Sequence, residues 1–291
     1  MVKKLLNENA KKTDAFIKKY LDRQSFSDLV IPMKYGSISG GKKIRSSVIL
    51  GAGKLFNITS AKLLNICAAV ECIHSYSLIH DDLPCMDDDK TRRGKSATHI
   101  KFGESTAILA GNSLLTLAFE MIVDKKYKIE NKAKIELVKS LAHCSGHVGI
   151  AGGQYLDLNF EKKRKRFTDI LYMQRKKTGK LFNFCCYAAG IVGKKNNKEL
   201  KSLSKLGEDI GLLFQLADDF IDIKGSKKTA GKSIKKDKKQ GKSTLVSLIG
   251  YEKAYSYASK LKKNILSKLS KHGKKADNLI NTVEFILERN F

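Results

Sequence analysis

Apolar residues recur along most of the chain at intervals of three and four positions, which is the spacing of one face of an α-helix. No segment alternates apolar and polar residues for long enough to predict a strand. Both patterns indicate an all-α protein. The predicted helices span residues 7–23, 44–54, 62–80, 107–123, 132–149, 169–193, 200–223, 253–269 and 276–289.

Several of these segments are apolar on more than one face, which is typical of central helices covered on all sides. The chain has no internal repeat of fixed period and no linker rich in proline or serine. We therefore predict one domain, a helical bundle over residues 1–291. Two polar breaks interrupt the helices, at 87–99 and at 224–242. The second contains nine lysines and is typical either of a solvated loop or of a lid over a phosphorylated ligand.

Composition narrows the class of protein. The 291 residues include 56 Lys and Arg against 29 Asp and Glu, a formal charge of +27, and 42% are apolar, as in globular proteins. Such a charge suggests nucleic-acid binding, yet no helix-turn-helix, zinc-finger or RNA-binding signature is present. The charge then reflects either a compositional bias toward lysine or a small acidic partner, such as a phosphorylated metabolite.

Three further observations concern the compartment. The N-terminus has no apolar core of signal-peptide length, so we expect no secretion. The longest apolar stretch, 107–123, contains Asn112, Ser113, Thr116 and Glu120, which predicts a buried helix rather than a membrane span. The six cysteines form no C-x-x-C pair. A zinc site is therefore not expected, and reduced thiols of a cytoplasmic protein are the simplest interpretation.

Two aspartate clusters follow strongly apolar helical segments. The first, DDLPCMDDD, covers residues 81–89, and the second, DDFID, covers residues 218–222. Adjacent carboxylates repel one another and are costly beside apolar helices unless a cation compensates them. Asp218 and Asp222 share a helix face, and Asp81 and Asp87 are expected to converge as the chain turns. Clustered carboxylate oxygens suit Mg²⁺, which commonly shares its coordination sphere with substrate phosphates.

Basic motifs alternate with these acidic clusters. GGKKIR at residues 40–45 is predicted to open a helix, where its glycines allow close backbone approach and its cations can bind an anion. RRG follows the first cluster at 92–94, and KKTG lies at 176–179. Any one of these motifs alone is typical of a solvated surface. Together, acid and base alternate as a metal-bridged diphosphate requires.

The combined motifs resemble those of the trans-prenyl diphosphate synthases. IHSYSLIHDDLPCMDDDKTRRGKSATH is similar to the first aspartate-rich motif of that family, and FQLADDFIDIKG to the second. GGKKIR and KKTGKL are similar to its remaining signatures, so the resemblance runs in order over residues 36–250. Two extra residues within the first motif, Pro84 and Cys85, resemble the bacterial short-chain type that makes farnesyl diphosphate. The resemblance implies a helical isoprenoid-synthase bundle with a central apolar cavity.

The resemblance also implies a Mg²⁺-dependent, head-to-tail condensation of isopentenyl diphosphate with dimethylallyl or geranyl diphosphate. Several Mg²⁺ ions are expected, with Mn²⁺ as a possible substitute. Their implied ligands are Asp81, Asp82, Asp87, Asp218 and Asp222. The implied catalytic residues are Asp81, Asp82, Asp87, Arg92, Lys177, Asp218, Asp219 and Lys232. Substrate binding is implied for Lys42, Arg45, His74, Arg92, Arg93, Lys177, Thr178, Gln215, Lys232 and Lys242.

Product length is expected to depend on the helix before Asp81. Tyr76 and Ser77 precede Asp81 by about one turn, and a tyrosine ring there would close the apolar bore and favour a fifteen-carbon product. The other interpretation makes Tyr76 an ordinary core residue. Three places depart from the family pattern: Ala217 before the second aspartate pair, the Leu-Val pair after Thr244 where Tyr-Pro is common, and the C-terminus ILERNF, which is shorter in Arg and Lys. The last two leave substrate preference open.

Several alternatives compete with this hypothesis. Geranylgeranyl diphosphate synthase would differ only in chain length. A class I terpene cyclase normally replaces the second aspartate motif, and a non-catalytic partner subunit normally loses one, whereas this chain retains both. A nucleic-acid-binding protein would leave the aspartates unexplained. We expect a homodimer by analogy with the family, with no nucleic-acid partner and no stable membrane insertion.

Overall fold

The computed structural model describes residues 2–24, 27–38, 40–161, 163, 165–228 and 244–288. Helices dominate this part of the chain, which confirms the all-α prediction. The chain forms two compact units, Met1–Leu141 with Ala188–Lys195, and Ala142–Tyr187 with Asn196–Phe291. The expected single-domain organisation stays a prediction.

The first unit is built from helices that enclose one central helix. In chain order its helices are α1 (Val2–Asp22), α2 (Val30–Ser37), α3 (Ile44–Leu55), α4 (Leu64–Asp81), α5 (Thr98–Phe102), α6 (Glu104–Val123) and most of α7 (Asn131–Ser145), with a 3₁₀ turn at Ser60–Lys62. The sequence pattern predicted α1, α3, α4, α6 and α7 with shifted ends but not the short helices α2 and α5.

Helix α4 is the core of this unit because it is apolar on all faces, as its pattern predicted. Every residue from 65 to 73 is buried. Helix α6 approaches it at Gly111, where an added Cβ would lie 2.2 Å from the His80 Nε2. The same ring nitrogen lies 3.1 Å from the Ile108 carbonyl oxygen. This packing fixes the end of α4, from which the first aspartate cluster emerges.

Helix α6 is also, among the described helices, the one with the length and composition of a membrane span, and 44% of that apolar window is buried inside the protein. A core helix has the same properties, in agreement with the sequence interpretation. Its packing against α4 buries residues such as Ala107, Ala110 and Leu114, whereas Ile108, Leu109 and Val123 are exposed.

A small hairpin follows the first aspartate cluster. Strand β1 (Thr91–Arg92) pairs with antiparallel β2 (Lys95–Ser96). The two turn residues, Arg93 and Gly94, have φ angles of 54° and 75°, both in the left-handed region that two-residue hairpin turns favour. Strands this short carry no alternation, so the sequence indicated only a polar break here.

The second unit contains α8 (Ile150–Phe160), α9 (Phe167–Gln174), the first part of α10 (Lys180–Val192), α11 (Asn197–Lys228), α12 (Leu245–Ile249), α13 (Tyr251–Ser270) and α14 (Asp277–Glu288), with a 3₁₀ turn at Gly273–Ala276. Helix α11 begins where Glu199 N donates to Asn196 Oδ1 at 2.9 Å and Asn196 N donates to Glu199 Oε2 at 3.1 Å. This reciprocal cap places the start of α11 three residues before the predicted one.

The predicted helix 169–193 is interrupted by a π-helical turn, Arg175–Gly179, between α9 and α10. A π turn inserts one extra residue per turn and is frequent at functional sites. Helix α8 packs directly on it, because an added Cβ at Gly153 would lie 2.1 Å from the Lys177 backbone nitrogen. The contact with α8 therefore supports the backbone that carries Lys177 and Thr178.

Candidate active site

The first aspartate cluster folds back over the end of α4. Asp81 is the last helical residue, and Asp87 N donates to the Asp81 carbonyl at 2.8 Å. Asp89 N donates to the Asp82 carbonyl at 3.1 Å. Asp88, with φ 48°, makes the turn that this return requires. The predicted convergence of Asp81 and Asp87 is therefore seen at the level of the backbone.

Asp82 has a different environment from Asp81. Its carboxylate is 3% exposed, and Arg92 Nε donates to its two oxygens at 2.9 and 3.2 Å. Arg92 Nη2 also contacts Asp82 and lies 3.1 Å from Asp89 Oδ2. Burial raises the pKa of Asp82, and the Arg92 hydrogen bonds oppose that shift. Asp82 and Arg92 form one inward-facing pair, while Asp81 and Asp87 are half-buried. The metal role of Asp82 stays a prediction.

A group of cations surrounds His74, seven residues before Asp81 on α4. Burial lowers the pKa of His74 well below its ordinary value, and the positive charges of Arg45, Arg93, Lys43 and Arg92 lower it further. A neutral imidazole in a cationic setting can donate a hydrogen bond to an anion without adding charge. The charges of Arg45 and Arg93 thus act on His74, and the shared role of these residues in binding a diphosphate stays a prediction.

The predicted residue Arg93 also supports the GGKKIR segment. Arg93 Nη1 donates to the Gly40 carbonyl at 2.6 Å, and an added Cβ at Gly41 would lie 2.9 Å from the guanidinium carbon. Gly41 has φ +100°, which a side chain would strain. The glycines therefore permit the arginine to lie against the backbone beside the exposed Lys42.

The residues assigned to chain length lie on α4 close to Asp81. The Tyr76 ring stands edge-on to the His80 ring, with centroids 5.7 Å apart and planes at 76°. Burial raises the pKa of Tyr76 to about 12, and the Asp81 charge adds to the shift. Ser77 Oγ donates to the His74 carbonyl at 2.9 Å. Tyr76 is thus packed within one turn of the aspartates, and its role as a floor stays a prediction.

The second aspartate cluster lies on α11 in the second unit. Asp219 is buried, and it accepts hydrogen bonds from Gln174 Nε2 at 2.9 Å and from Gln215 Nε2 at 3.0 Å. Thr178 Oγ1 donates to Gln215 Oε1 at 2.7 Å. Burial raises the pKa of Asp219 to about 7, and the charges of Asp218 and Asp222 contribute. The predicted residues Thr178, Gln215 and Asp219 are therefore joined in one network.

Sequence reasoning missed three polar residues of this unit. Asp157 pairs with Lys177 at 2.5 Å, and Gln174 supports Asp219. Gln154 is 5% exposed, and neither polar atom of its amide has a partner among the described residues. A G-G-Q-x-x-D pattern on a helix was visible in the sequence, but nothing in it linked Asp157 to Lys177 before α8 was placed against the π turn.

The remaining predicted residues have simpler positions. Asp218 is half-buried and Asp222 is exposed, one turn apart on α11. Lys232 and Lys242, with most of the 224–242 break, lie outside the described residues.

Both clusters offer donors that suit Mg²⁺. Their ligand atoms are carboxylate oxygens, and like-charge crowding around Asp219 contributes to its raised pKa, a repulsion that a divalent cation relieves. Among the described residues no group of three or more His, Cys, Asp or Glu side chains is placed so that these side chains alone could hold a metal ion. Mg²⁺ usually keeps several waters and takes further oxygens from substrate phosphates, so an open carboxylate set fits it.

Comparisons with known proteins agree with this chemistry. The polyprenyl synthetase family model matches residues 27–283. Farnesyl diphosphate synthase of Escherichia coli is 39% identical over 90% of this chain and 89% of that enzyme, and other farnesyl diphosphate synthases match at 34–39%. Geranylgeranyl pyrophosphate synthase 4 of Arabidopsis thaliana is 38% identical over 89% of this chain and 70% of the relative. The crystal structure of an FPP/GFPP synthase from Zymomonas mobilis is similar with a TM-score of 0.86 and 36% identity over 98% of both chains.

Proposed function

The chain belongs to the polyprenyl synthetase family, and from this premise we propose that it is a farnesyl diphosphate synthase. It condenses isopentenyl diphosphate with dimethylallyl or geranyl diphosphate, head to tail, and releases inorganic diphosphate. The observation that carries this proposal is the presence of two intact aspartate clusters, each with supporting polar groups in its own unit. Arg92 supports the first cluster, and Gln174 with Gln215 supports the second.

The proposed metal ligands are Asp81, Asp82, Asp87, Asp218 and Asp222. Bound Mg²⁺, replaceable by Mn²⁺, would neutralise the diphosphate leaving group and so favour cleavage of its bond to carbon. Among these residues, Asp82 has the additional task of holding Arg92, because its carboxylate is already engaged in that ion pair. Asp219 acts by fixing Gln215 and, through it, Thr178.

The basic side chains are proposed to bind the two diphosphates. Arg92 and Lys177, together with Lys232 outside the described residues, bind the allylic diphosphate. Asp157 holds the Lys177 ammonium in place through their 2.5 Å contact. Fixed cations stabilise the negative charge that develops on the leaving diphosphate, which is the largest contribution available to side chains here.

Isopentenyl diphosphate is assigned to Lys42, Arg45, His74 and Arg93. Neutral His74 donates a hydrogen bond while the cations balance the charge. The allylic carbon–oxygen bond breaks, the isopentenyl double bond attacks the allylic carbon, and the released diphosphate takes the proton lost from isopentenyl. Buried apolar surroundings exclude water, which would otherwise quench the cation. Lys242 is proposed as a further substrate-binding residue.

A fifteen-carbon product is proposed because Tyr76, with its ring packed against His80 at the end of α4, limits the depth available to the growing tail. Geranylgeranyl diphosphate is the alternative product, since a geranylgeranyl pyrophosphate synthase also matches most of the chain. We further propose a single domain with an apolar tail cavity, a homodimer and a cytoplasmic location, without a nucleic-acid partner.

The test is incubation with Mg²⁺, labelled isopentenyl diphosphate and each allylic primer in turn, followed by chain-length analysis of the products. A fifteen-carbon product from both primers is the expected result. A twenty-carbon product as the main species would favour the alternative. No Mg²⁺-dependent product from any primer would contradict the proposed function.

A further inference from the structure

Lys43 has no assigned role, and its conformation is unusual. It immediately precedes α3 with φ 43°, in the left-handed region that a residue other than glycine adopts at a cost. Its side chain is 1% exposed. Lys42, its neighbour in sequence, is exposed. The left-handed backbone therefore turns one of two consecutive lysines into the protein interior.

Three oxygens from separate parts of the unit surround the buried ammonium. Lys43 Nζ donates to the Ser37 carbonyl at 2.7 Å, at the end of α2. It lies 3.3 Å from Asp14 Oδ1 on α1 and 4.0 Å from Glu71 Oε2 on α4. A buried ammonium is costly unless it is paired and hydrogen-bonded. This site meets both conditions, so the strained backbone is held by the contacts of its own side chain.

Glu71 connects the same group to the first turn of α3. Its side chain is 2% exposed, and Ser46 donates to Oε1 from its backbone nitrogen at 3.2 Å and from its hydroxyl at 3.0 Å. A carboxylate at this position also interacts favourably with the positive end of the helix dipole. Glu71 lies three residues before His74 on α4, which is about one helical turn.

The Lys43–Glu71 pair therefore joins two segments that carry anion-binding side chains. One is the start of α3, with Lys42 and Arg45, and the other is the α4 turn that carries His74. Lys43 itself is buried and has three oxygen partners, so it has no face left for substrate. Its charge also contributes to the lowered pKa of His74.

We propose that Lys43 and Glu71 are positioning residues that fix Lys42, Arg45 and His74 in the geometry that binds isopentenyl diphosphate. The inference deepens the proposed function and rests on it. Misplacing binding groups by a fraction of an ångström weakens binding of the substrate they hold. Loss of the pair should therefore raise KM for isopentenyl diphosphate more than KM for geranyl diphosphate, with little change in kcat.

The experiment compares Lys43→Met, Lys43→Arg and the double variant Lys43→Met with Glu71→Gln. Lys43→Met is expected to raise KM for isopentenyl diphosphate by about tenfold and KM for geranyl diphosphate by less than about twofold. Lys43→Arg keeps the charge and is expected to recover most of that loss. The double variant also removes the charge of Glu71, whose side chain is 2% exposed, and leaves only the Asp14 carboxylate, at 23% exposure, without its ammonium partner, so it is expected to fold even where the single variant does not, and to keep the raised KM.

Lys34→Met is the matched control, because Lys34 is another lysine of the same unit whose ammonium pairs with a carboxylate, that of Asp22 at 2.6 Å, and its side chain is 30% exposed. It should leave both KM values unchanged. A double variant with wild-type KM for isopentenyl diphosphate would overturn the inference, as would equal rises in both KM values. An inactive wild-type protein would instead contradict the proposed function on which the inference depends.

Discussion

The buried carboxyl of Asp219 should make the protein less stable as the pH rises. Burial raises its pKa from 3.8 to about 7, with a further contribution from the Asp218 and Asp222 charges, while hydrogen bonds from Gln215 and Gln174 oppose the shift. The unfolded chain releases this proton near its ordinary pKa, whereas the folded protein holds it until about pH 7. The associated stability is therefore complete below the unfolded pKa and is lost as the pH rises through the folded one.

The size of this effect follows from the shift. One pKa unit corresponds to about 1.4 kcal/mol. As the pH rises from about 5 to about 8, the Asp219 carboxyl should therefore lower the free energy of unfolding by about 2–3 kcal/mol. Asp219→Asn carries no charge at either pH and should not show this loss. Gln174 Oε1 is buried without a partner in the described structure. If the Gln174 amide flips, this oxygen can accept a hydrogen bond from the new Asn nitrogen.

The assay is urea unfolding of wild type and Asp219→Asn in a buffer with EDTA, at about pH 5 and pH 8. From pH 5 to pH 8, the free energy of unfolding of Asp219→Asn should rise by about 2–3 kcal/mol relative to that of the wild type. Asp169→Asn is the control, because the Arg166 hydrogen bond lowers the pKa of Asp169 and keeps it ionised over this range. The free energy of unfolding of Asp169→Asn should differ from that of the wild type by the same amount at both pH values. If Asp219→Asn also differs from the wild type by the same amount at both pH values, the reasoning is refuted.

Three further predictions concern activity, product and packing. Asp81→Ala and Asp218→Ala should each lower kcat by about a hundred- to a thousandfold with unchanged helical circular dichroism, and substantial activity in either would contradict its proposed metal role. Tyr76→Ala should give longer products in chain-length analysis, because it removes the proposed floor, and an unchanged product spectrum would exclude Tyr76 from this role. Gly207→Ala should lower the free energy of unfolding in urea by about 2–3 kcal/mol, because the added Cβ on α11 would lie 2.2 Å from the Phe182 carbonyl oxygen on α10. An unfolding midpoint equal to that of the wild type would show that α10 and α11 can separate at little cost.

The sequence predicted the helical class because the apolar spacing of its long helices is set by burial, and that burial was found in α4. It did not predict the hairpin at Thr91–Ser96 or the π turn at Arg175–Gly179. Neither feature has a periodicity of its own. The hairpin depends on two positive φ angles, and the π turn on the close approach of α8 at Gly153, which is a tertiary contact.

Residue type identified the chemistry of the candidate site but could not divide the work between neighbours. Asp81 and Asp82 are adjacent and identical in type, yet only Asp82 is buried against Arg92. The choice is made by the end of α4, where the chain leaves the helix and the following loop returns over it. A motif therefore names the residues of a cluster, and the local backbone decides which of them faces the substrate.

The same argument applies with more force to the two lysines of GGKKIR. From the sequence, Lys42 and Arg45 are assigned to substrate binding and Lys43 is given no role, although consecutive lysines before a helix are usually both solvated. The left-handed φ of Lys43 separates the two, since it sends the second ammonium toward Asp14, Ser37 and Glu71. A side chain that is to bind an anion at the surface needs a backbone held in place. In the proposed site, the buried contacts of Lys43 hold the backbone of Lys42. Lys43→Met and Lys42→Met should therefore both weaken binding of isopentenyl diphosphate, the first because it releases the backbone and the second because it removes a charge from the anion site. The loss at position 43 should be recovered by Lys43→Arg, which keeps a buried positive charge there.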